Sequence, residues 1–494
     1  MKTAKRFLSW LLAAGMLMGS WALGEEELPP EEEDLAARQA VKTMVQDAKE
    51  AYFSDPDVAA AFAAGIKVSE EELSDGYGES DTYEVHTLTY QGHSMRFLME
   101  TIGEPDDEGM YPLYITLHGG GGGPADENDG QWTAMFNYYK ESVESGIYVA
   151  CRGISDTWDL HFQEASYLLY DRLIAYLIYA EYADPNRVYL LGFSAGGDGV
   201  YQIAPRMADR FAAANMSSGH PNGVSLMNLA NLPISLQAGI RDYYSESAMR
   251  SVRAAEFEKV LQDYREASGF GYEHRIWIHV PEGHNYNDYS DTDGQVLADP
   301  AAFAEKAEAE NYLESFLEIF RETTGGDGVA SLSYYPREMS ESFNARLTDF
   351  VSEGLEIEGV NTNAIRFVDQ YTRNPAPEKL VWDLSTRAPS REVTSFYWLD
   401  ADPSVNQGMI YAAFDRETNS YLIVPDDAVN GDFYILISPK LADLSRPVIF
   451  QTPKGNFVRE MDASEELTIQ CIQQTGDPEL ACVAMIAYSE LEED

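Results

Sequence analysis

Short apolar runs bounded by glycine, proline and charged residues recur from Tyr83 onward. They predict strands over Tyr83–Tyr90, Ser94–Thr101, Tyr111–Leu117, Gly146–Cys151, Val188–Phe193, Phe211–Met216, Ile234–Ala238 and Arg275–Val280. The longer gaps carry helical periodicity. It is clearest over Glu164–Glu181, where Leu169, Leu173 and Leu177 with Ile174 and Ile178 make one apolar face and Ala183-Asp184-Pro185-Asn186 supplies the terminating turn. Two leading strands that read as a hairpin, followed by strand and helix in alternation, predict an α/β fold. Its sheet is mostly parallel with an antiparallel edge and carries helices on both faces. Ligands of such sheets bind at the carboxyl ends of the strands.

The texture changes on either side of this block. Residues 25–81 are acidic and helix-leaning, a leader that packs on the main domain. Residues 82–323 form the α/β domain, closed by a helix over Phe303–Thr323, and the glycine-rich stretch starting at Thr324 reads as a linker over 324–330. Residues 331–494 read as a smaller, mainly β domain, with runs at Leu380–Trp382, Ser395–Leu399, Met409–Phe414, Tyr421–Val424 and Phe433–Ile437. Its aromatic residues serve either core packing or a carbohydrate-binding face.

Lys2, Lys5 and Arg6 precede an apolar stretch from Phe7 to Leu23, and Ala22-Leu23-Gly24 offers small residues to an export peptidase. Residues 1–24 are therefore expected to be a signal peptide, the mature protein secreted or periplasmic, with no stable membrane insertion after cleavage. Acidic residues outnumber basic ones by 83 to 34, a net charge of −49, which excludes nucleic acid and anionic membrane surfaces as expected partners. Three cysteines are too few for a disulfide framework, and whether Cys471 and Cys482 pair is open. The eight histidines show no His-x-x-x-His pairing that would suggest zinc.

One motif carries chemistry. Gly192-Phe193-Ser194-Ala195-Gly196 follows an apolar strand and precedes a helical stretch, the pattern of a serine held on a tight strand-to-helix turn with its hydroxyl exposed. Such a hydroxyl attacks only when an imidazole takes its proton, and a carboxylate must hold that imidazole in one tautomer. Asp242, at the end of the strand Ile234–Ala238 and its Gly-x-x-Asp turn, is the expected acid; a turn or capping aspartate is the alternative, and Glu282 is the runner-up acid. His284, directly after the strand that ends at Val280, is the expected base. The oxyanion needs two backbone donors, expected from Ala195 and from Gly120 in the loop His118-Gly119-Gly120-Gly121-Gly122-Gly123. His118 orders that loop or borders the pocket. His220 and Trp158 follow strands on the same side of the sheet, and each lines the pocket or is structural.

Taken together, the His118-Gly119-Gly120-Gly121 loop, the Ser194 motif, Asp242 and His284 resemble the α/β-hydrolase superfamily. The chain is similar there to exported esterases of the polyhydroxybutyrate-depolymerase and feruloyl-esterase kind. The resemblance covers about Tyr83 to Thr323. It implies an α/β-hydrolase fold and hydrolysis of carboxylic esters, polysaccharide-linked or polymeric, through an acyl-enzyme without metal or cofactor. A serine peptidase of the prolyl-oligopeptidase kind shares the triad order and is the alternative. A non-catalytic binding protein on the same scaffold is disfavoured by the filled triad and glycine loop.

Overall fold

A computed structural model describes residues 32–74, 80–242, 249–312, 314, 318, 354–388 and 390–491. The expected signal peptide (1–24) and linker (324–330) lie outside the described residues, as does most of the predicted helix beyond Tyr312. Helices α1 (Glu32–Ser54) and α2 (Pro56–Gly65) lead into β1 (Ile66–Ser74), β2 (Ser80–Tyr90) and β3 (His93–Ile102). Between β2 and β3, Gln91 and Gly92 both have positive φ, 47° and 81°, the two-residue turn whose twist matches a right-handed hairpin.

The α/β block follows as β4 (Tyr111–Leu117), α3 (Ala125–Tyr138), β5 (Gly146–Cys151), α4 (Glu164–Ala180), β6 (Ala183–Phe193), α5 (Ala195–Ile203), β7 (Ala213–Ser217), β8 (Ile234–Gly239), α6 (Arg250–Ser268), β9 (His274–His279), β10 (Asp293–Leu297), α7 (Pro300–Ala309), β11 (Ile357–Asn361) and α8 (Ala364–Val368). They build an 11-stranded sheet in the order β1-β2-β3-β5-β4-β6-β7-β8-β9-β10-β11. Pairing is parallel from β5 through β9 and antiparallel at both edges. Central strands buried on both faces read as unbroken apolar runs, which is why β4, β5 and β6 stood out in the sequence. Leu113, Ile115 and Leu117 share one core with Leu169, Leu173 and Leu177 of α4. Tyr114, Tyr148 and Tyr189 face the other side, around Trp132 of α3.

Two further sheets lie C-terminal. One has the order β12 (Lys379–Asp383), β15 (Met409–Asp415), β16 (Ser420–Pro425), β18 (Val448–Thr452), β19 (Gly455–Arg459). The other is β13 (Ser395–Phe396), β14 (Leu399–Asp400), β17 (Tyr434–Ile437), β20 (Ala484–Ala487), with α9 (Glu465–Thr475) ahead of β20. Their aromatics Trp382, Phe396, Trp398, Tyr421 and Phe450 are buried and belong to the same continuous core as β4 and β6, so these rings pack rather than face solvent. A buried ion network ties the parts together. Arg391 binds Asp171 of α4 and Asp209 at 2.6 and 3.0 Å, and Arg210 and Arg373 both reach Asp477, at 3.4 and 2.8 Å. Cys471 and Cys482 form a disulfide, and Cys151 is a buried free thiol.

Three expectations change. The leader is not all helix: residues 66–74 are an edge strand whose acidic Glu70-Glu71-Glu72 run masks its pairing with β2. The leader's helix α1 packs Ala48 and Tyr52 against Ile472 and Ala481 of the C-terminal part. Residues 357–368, placed by the sequence in the C-terminal domain, are β11 and α8 of the main unit. β11 pairs with β10, and neither of these short polar strands shows a hydrophobic period. Finally, Ser395–Leu399 is not one strand but a tight hairpin around Tyr397, at φ 55°.

Candidate active site

β6 ends at Phe193 and the chain turns into α5 through Ser194, whose φ of 60° and ψ of −119° are strained for a residue with a side chain. The flanking glycines are a steric requirement. A Cβ on Gly192 would lie 2.3 Å from the Gly196 carbonyl oxygen, and one on Gly196 would lie 2.0 Å from that of Leu117. The Ser194 amide donates to the Ser217 carbonyl at 2.9 Å, which pins the turn to β7.

Ser194 Oγ lies 2.9 Å from His284 Nε2, and His284 Nδ1 lies 3.0 and 3.1 Å from the two oxygens of Asp242. An ionised Asp242 only accepts, so Nδ1 carries the proton and Nε2 is left to accept from Ser194. His284 is buried and Asp242 fully so. The acid turn and the histidine loop meet backbone to backbone: a Cβ on Gly239 would sit 1.8 Å from the Gly283 oxygen, and Arg241 donates to the Glu282 carbonyl at 3.0 Å. The Glu282 side chain is exposed, so Asp242 and not the runner-up faces the imidazole. Arg250 at the start of α6 adds a cation 3.4 Å from Asp242.

The glycine loop crosses directly over the serine. A Cβ on Gly119 would lie 3.3 Å from the Ser194 Cβ. The Gly121 amide donates to Asn128 Oδ1 at 2.8 Å and the Gly122 amide to the Asp156 carbonyl at 2.8 Å. Among the described residues no hydrogen bond takes up the Gly120 amide or that of Ala195 at the start of α5, the two donors expected for an oxyanion. Gly120 has φ +97°, and a Cβ there would meet Asn128 Oδ1 at 2.5 Å.

His118 lies beneath this loop and is fully buried. Its Nε2 accepts from the Gly153 amide at 3.0 Å, so Nδ1–H donates to the Gly119 carbonyl at 2.6 Å. Burial holds the His118 pKa well below the ordinary value and that of His161 down at about 3, so both stay neutral. His118 therefore orders the loop and does not border a pocket. Trp158 is 58% exposed, which removes the core reading; its Cα would lie 3.2 Å from a Cβ on Gly121, beside the oxyanion loop, and its ring rests edge-on against Phe162. His220 is partly exposed. Its amide donates to Asp198 Oδ1 at 2.6 Å, which fastens its loop to α5, the helix that follows Ser194.

Several supporting residues escaped the sequence reading. Asn128 and Asp156 hold the glycine loop, with Asn128 Nδ2 donating to Asp156 Oδ1 at 2.9 Å and Arg152 bound to that same oxygen. Ser218 Oγ donates to the His284 carbonyl at 2.7 Å. Asp288, fully buried four residues past His284, accepts from Tyr138 at 2.8 Å, from Tyr139 at 3.1 Å and from Ser217. Burial pushes its carboxyl up to about 6. Polar residues in loops and helix ends give no periodic signal; only the adjacency of Asn128 to the glycine run hinted at a role.

No protein-family model matches the sequence, and no curated protein matches it. Among solved structures the chain is similar to a thermostable esterase, at 16% identity over 48% of this chain and 66% of that one, with a TM-score of 0.31. It is also similar to a ferulic acid esterase, at 16% identity over 44% and 92% with a TM-score of 0.29. A third is Est1E from Butyrivibrio proteoclasticus, at 13% identity over 47% and 98% with a TM-score of 0.28. The strand order β2-β3-β5-β4-β6-β7-β8-β9, the strained serine after β6, and the acid and histidine after β8 and β9 give this molecule the α/β-hydrolase fold.

Proposed function

We propose that the protein is an exported serine hydrolase that cleaves carboxylic esters, with polysaccharide-linked or polymeric esters as its substrates. The observation that carries this reading is the unbroken proton path from Ser194 Oγ through His284 to the buried Asp242. In this mechanism His284 Nε2 takes the Ser194 proton as Oγ bonds to the ester carbonyl carbon. The resulting oxyanion accepts from the Gly120 and Ala195 amides, and Asp242 stabilises the imidazolium. The imidazolium then protonates the leaving alkoxide as the C–O bond breaks, leaving an acyl-Ser194. Water, deprotonated by His284, releases the acid and restores the serine. Trp158, 58% exposed beside the glycine loop, is placed to rest against an extended substrate.

The test compares p-nitrophenyl acetate, a feruloyl ester and an aminoacyl-nitroanilide on the purified protein and on Ser194→Ala. Ester turnover that disappears in the variant is expected. Nitroanilide cleavage without ester preference would overturn the ester reading in favour of a peptidase.

A further inference from the structure

A second recess lies away from the triad, where α1, β2, α4 and the C-terminal part meet. It encloses about 480 Å³, within the ~300–1,000 Å³ range of small-molecule sites. At its centre is Arg172 of α4. The guanidinium lies 3.8 Å from the centre of the Phe62 ring and 4.8 Å from that of Tyr90, yet among the described residues it makes no hydrogen bond and no ion pair. Its plane is set by the rings while its N–H edge is uncommitted, and a donor fixed in advance loses little freedom when a ligand arrives.

The rest of the lining decides the ligand's charge. Glu392 faces the same recess and accepts from Tyr90 Oη at 2.8 Å, and the chain carries a net charge of −49, so an anionic ligand would meet repulsion from both the site and the whole molecule. A neutral molecule rich in hydroxyls meets none. Gln474, whose amide nitrogen donates to the Glu392 backbone carbonyl and to Thr394 Oγ1, both at 3.3 Å, also lines the recess, as does Tyr52. The guanidinium edge of Arg172, the Glu392 carboxylate and the Gln474 amide are planar donors and acceptors that match the hydroxyl edge of a sugar.

The position in the sheet adds a reason. Tyr90 ends β2 and Ser194 follows the end of β6, strands that run in the same direction four steps and about 19 Å apart, so Tyr90 at the recess and Ser194 lie toward the same end of the sheet. One extended chain is long enough to touch both.

We infer that the recess around Arg172 is a binding site for a neutral saccharide unit, placed to hold a glycan chain whose ester reaches Ser194. The binding part stands without the proposed activity; the link to Ser194 rests on it. Binding is therefore measured on the Ser194→Ala protein, by calorimetry with xylotetraose, cellotetraose and glucose, and by retardation in native gels containing soluble xylan or polygalacturonate. Saccharide binding weakened at least tenfold by Arg172→Met, with an intermediate loss in Arg172→Lys, is expected. Xylan alone retarding the protein assigns the site to polymer; tetraose binding of equal strength assigns it to short units. Arg172→Met in the otherwise native chain is expected to turn over p-nitrophenyl acetate unchanged. If that variant fails to fold, Glu392→Gln and Gln474→Ala carry the same comparison. Failure of every neutral saccharide to bind, preference for polygalacturonate, or undiminished binding in all the variants would overturn the inference. Loss of ester turnover alone would not touch the site.

Discussion

Asn128→Ala is the substitution that tests the oxyanion loop most sharply without touching the triad. The side chain is 1% exposed, accepts from the Gly121 amide at 2.8 Å and donates to Asp156 at 2.9 Å. Removing it deletes these two hydrogen bonds, worth about 1 kcal/mol each, together with a long one of 3.5 Å to the Gly123 carbonyl, and leaves the Gly121 amide without its acceptor, a further ~1–3 kcal/mol. The molecule loses up to roughly 3 kcal/mol of stability, and the loop relaxes as the stranded amide seeks another partner. The loop passes within contact distance of Ser194, so relaxation moves the Gly120 amide off the oxyanion position. Losing one such donor costs about 3 kcal/mol of transition-state stabilisation, or about a hundredfold in kcat. Steady-state kinetics with p-nitrophenyl acetate, read beside urea unfolding, is the assay. A fall in kcat with little change in KM is expected, and Asn128→Asp, which keeps the acceptor for Gly121, recovers part of it. Wild-type kcat in a measurably destabilised Asn128→Ala would refute the reasoning, since the loop would then be a scaffold with no donor at the reaction centre.

Other expectations follow from the same geometry. Arg391→Met leaves the buried Asp209 carboxylate without its guanidinium and Asp171 with Arg210 at 3.2 Å, and is expected to cost about 3–5 kcal/mol in denaturant unfolding, with the C-terminal sheets and the α/β block still melting in one transition. Asp288 is protonated more readily in the folded state, about 6, than the ~3.9 of an unfolded aspartate. Its contribution to stability is therefore present below pH 4 and lost as pH rises through 6, by up to about 3 kcal/mol. Asp288→Asn is expected to flatten the stability slope between pH 4 and 7, and an unchanged slope would contradict the burial argument. Trp158→Ala, at an exposed side chain beside the glycine loop, is expected to raise KM for a feruloyl ester while leaving kcat for p-nitrophenyl acetate within about twofold.

The sheet was legible where burial on both faces writes an unbroken apolar run. Tyr111–Leu117 and Gly146–Cys151 match their predicted bounds because nothing but apolar residues fits there. Ser194, Asp242 and His284 were legible because each sits one turn past such a strand, and the fold brings all three within hydrogen-bond distance. Edge strands were not. Ile66–Ser74 and Ile357–Asn361 at the two edges, and the short Asp293–Leu297 beside the latter, carry polar exposed positions that erase the period. The dependence of the C-terminal part on the α/β block was hidden for another reason. Arg391 and Asp171, or Arg373 and Asp477, are ordinary charges in the sequence and become a shared buried network only once the chain folds.

The central claim is acyl transfer at Ser194. Rapid quenching of the full chain with p-nitrophenyl acetate at low pH, followed by peptide mass mapping, tests it directly. A burst of nitrophenol equal to the enzyme, with the acetyl group on the peptide that contains Ser194 and neither burst nor adduct in Ser194→Ala, is the predicted result. Turnover that persists in Ser194→Ala, or an acyl group mapped to any other residue, would contradict it.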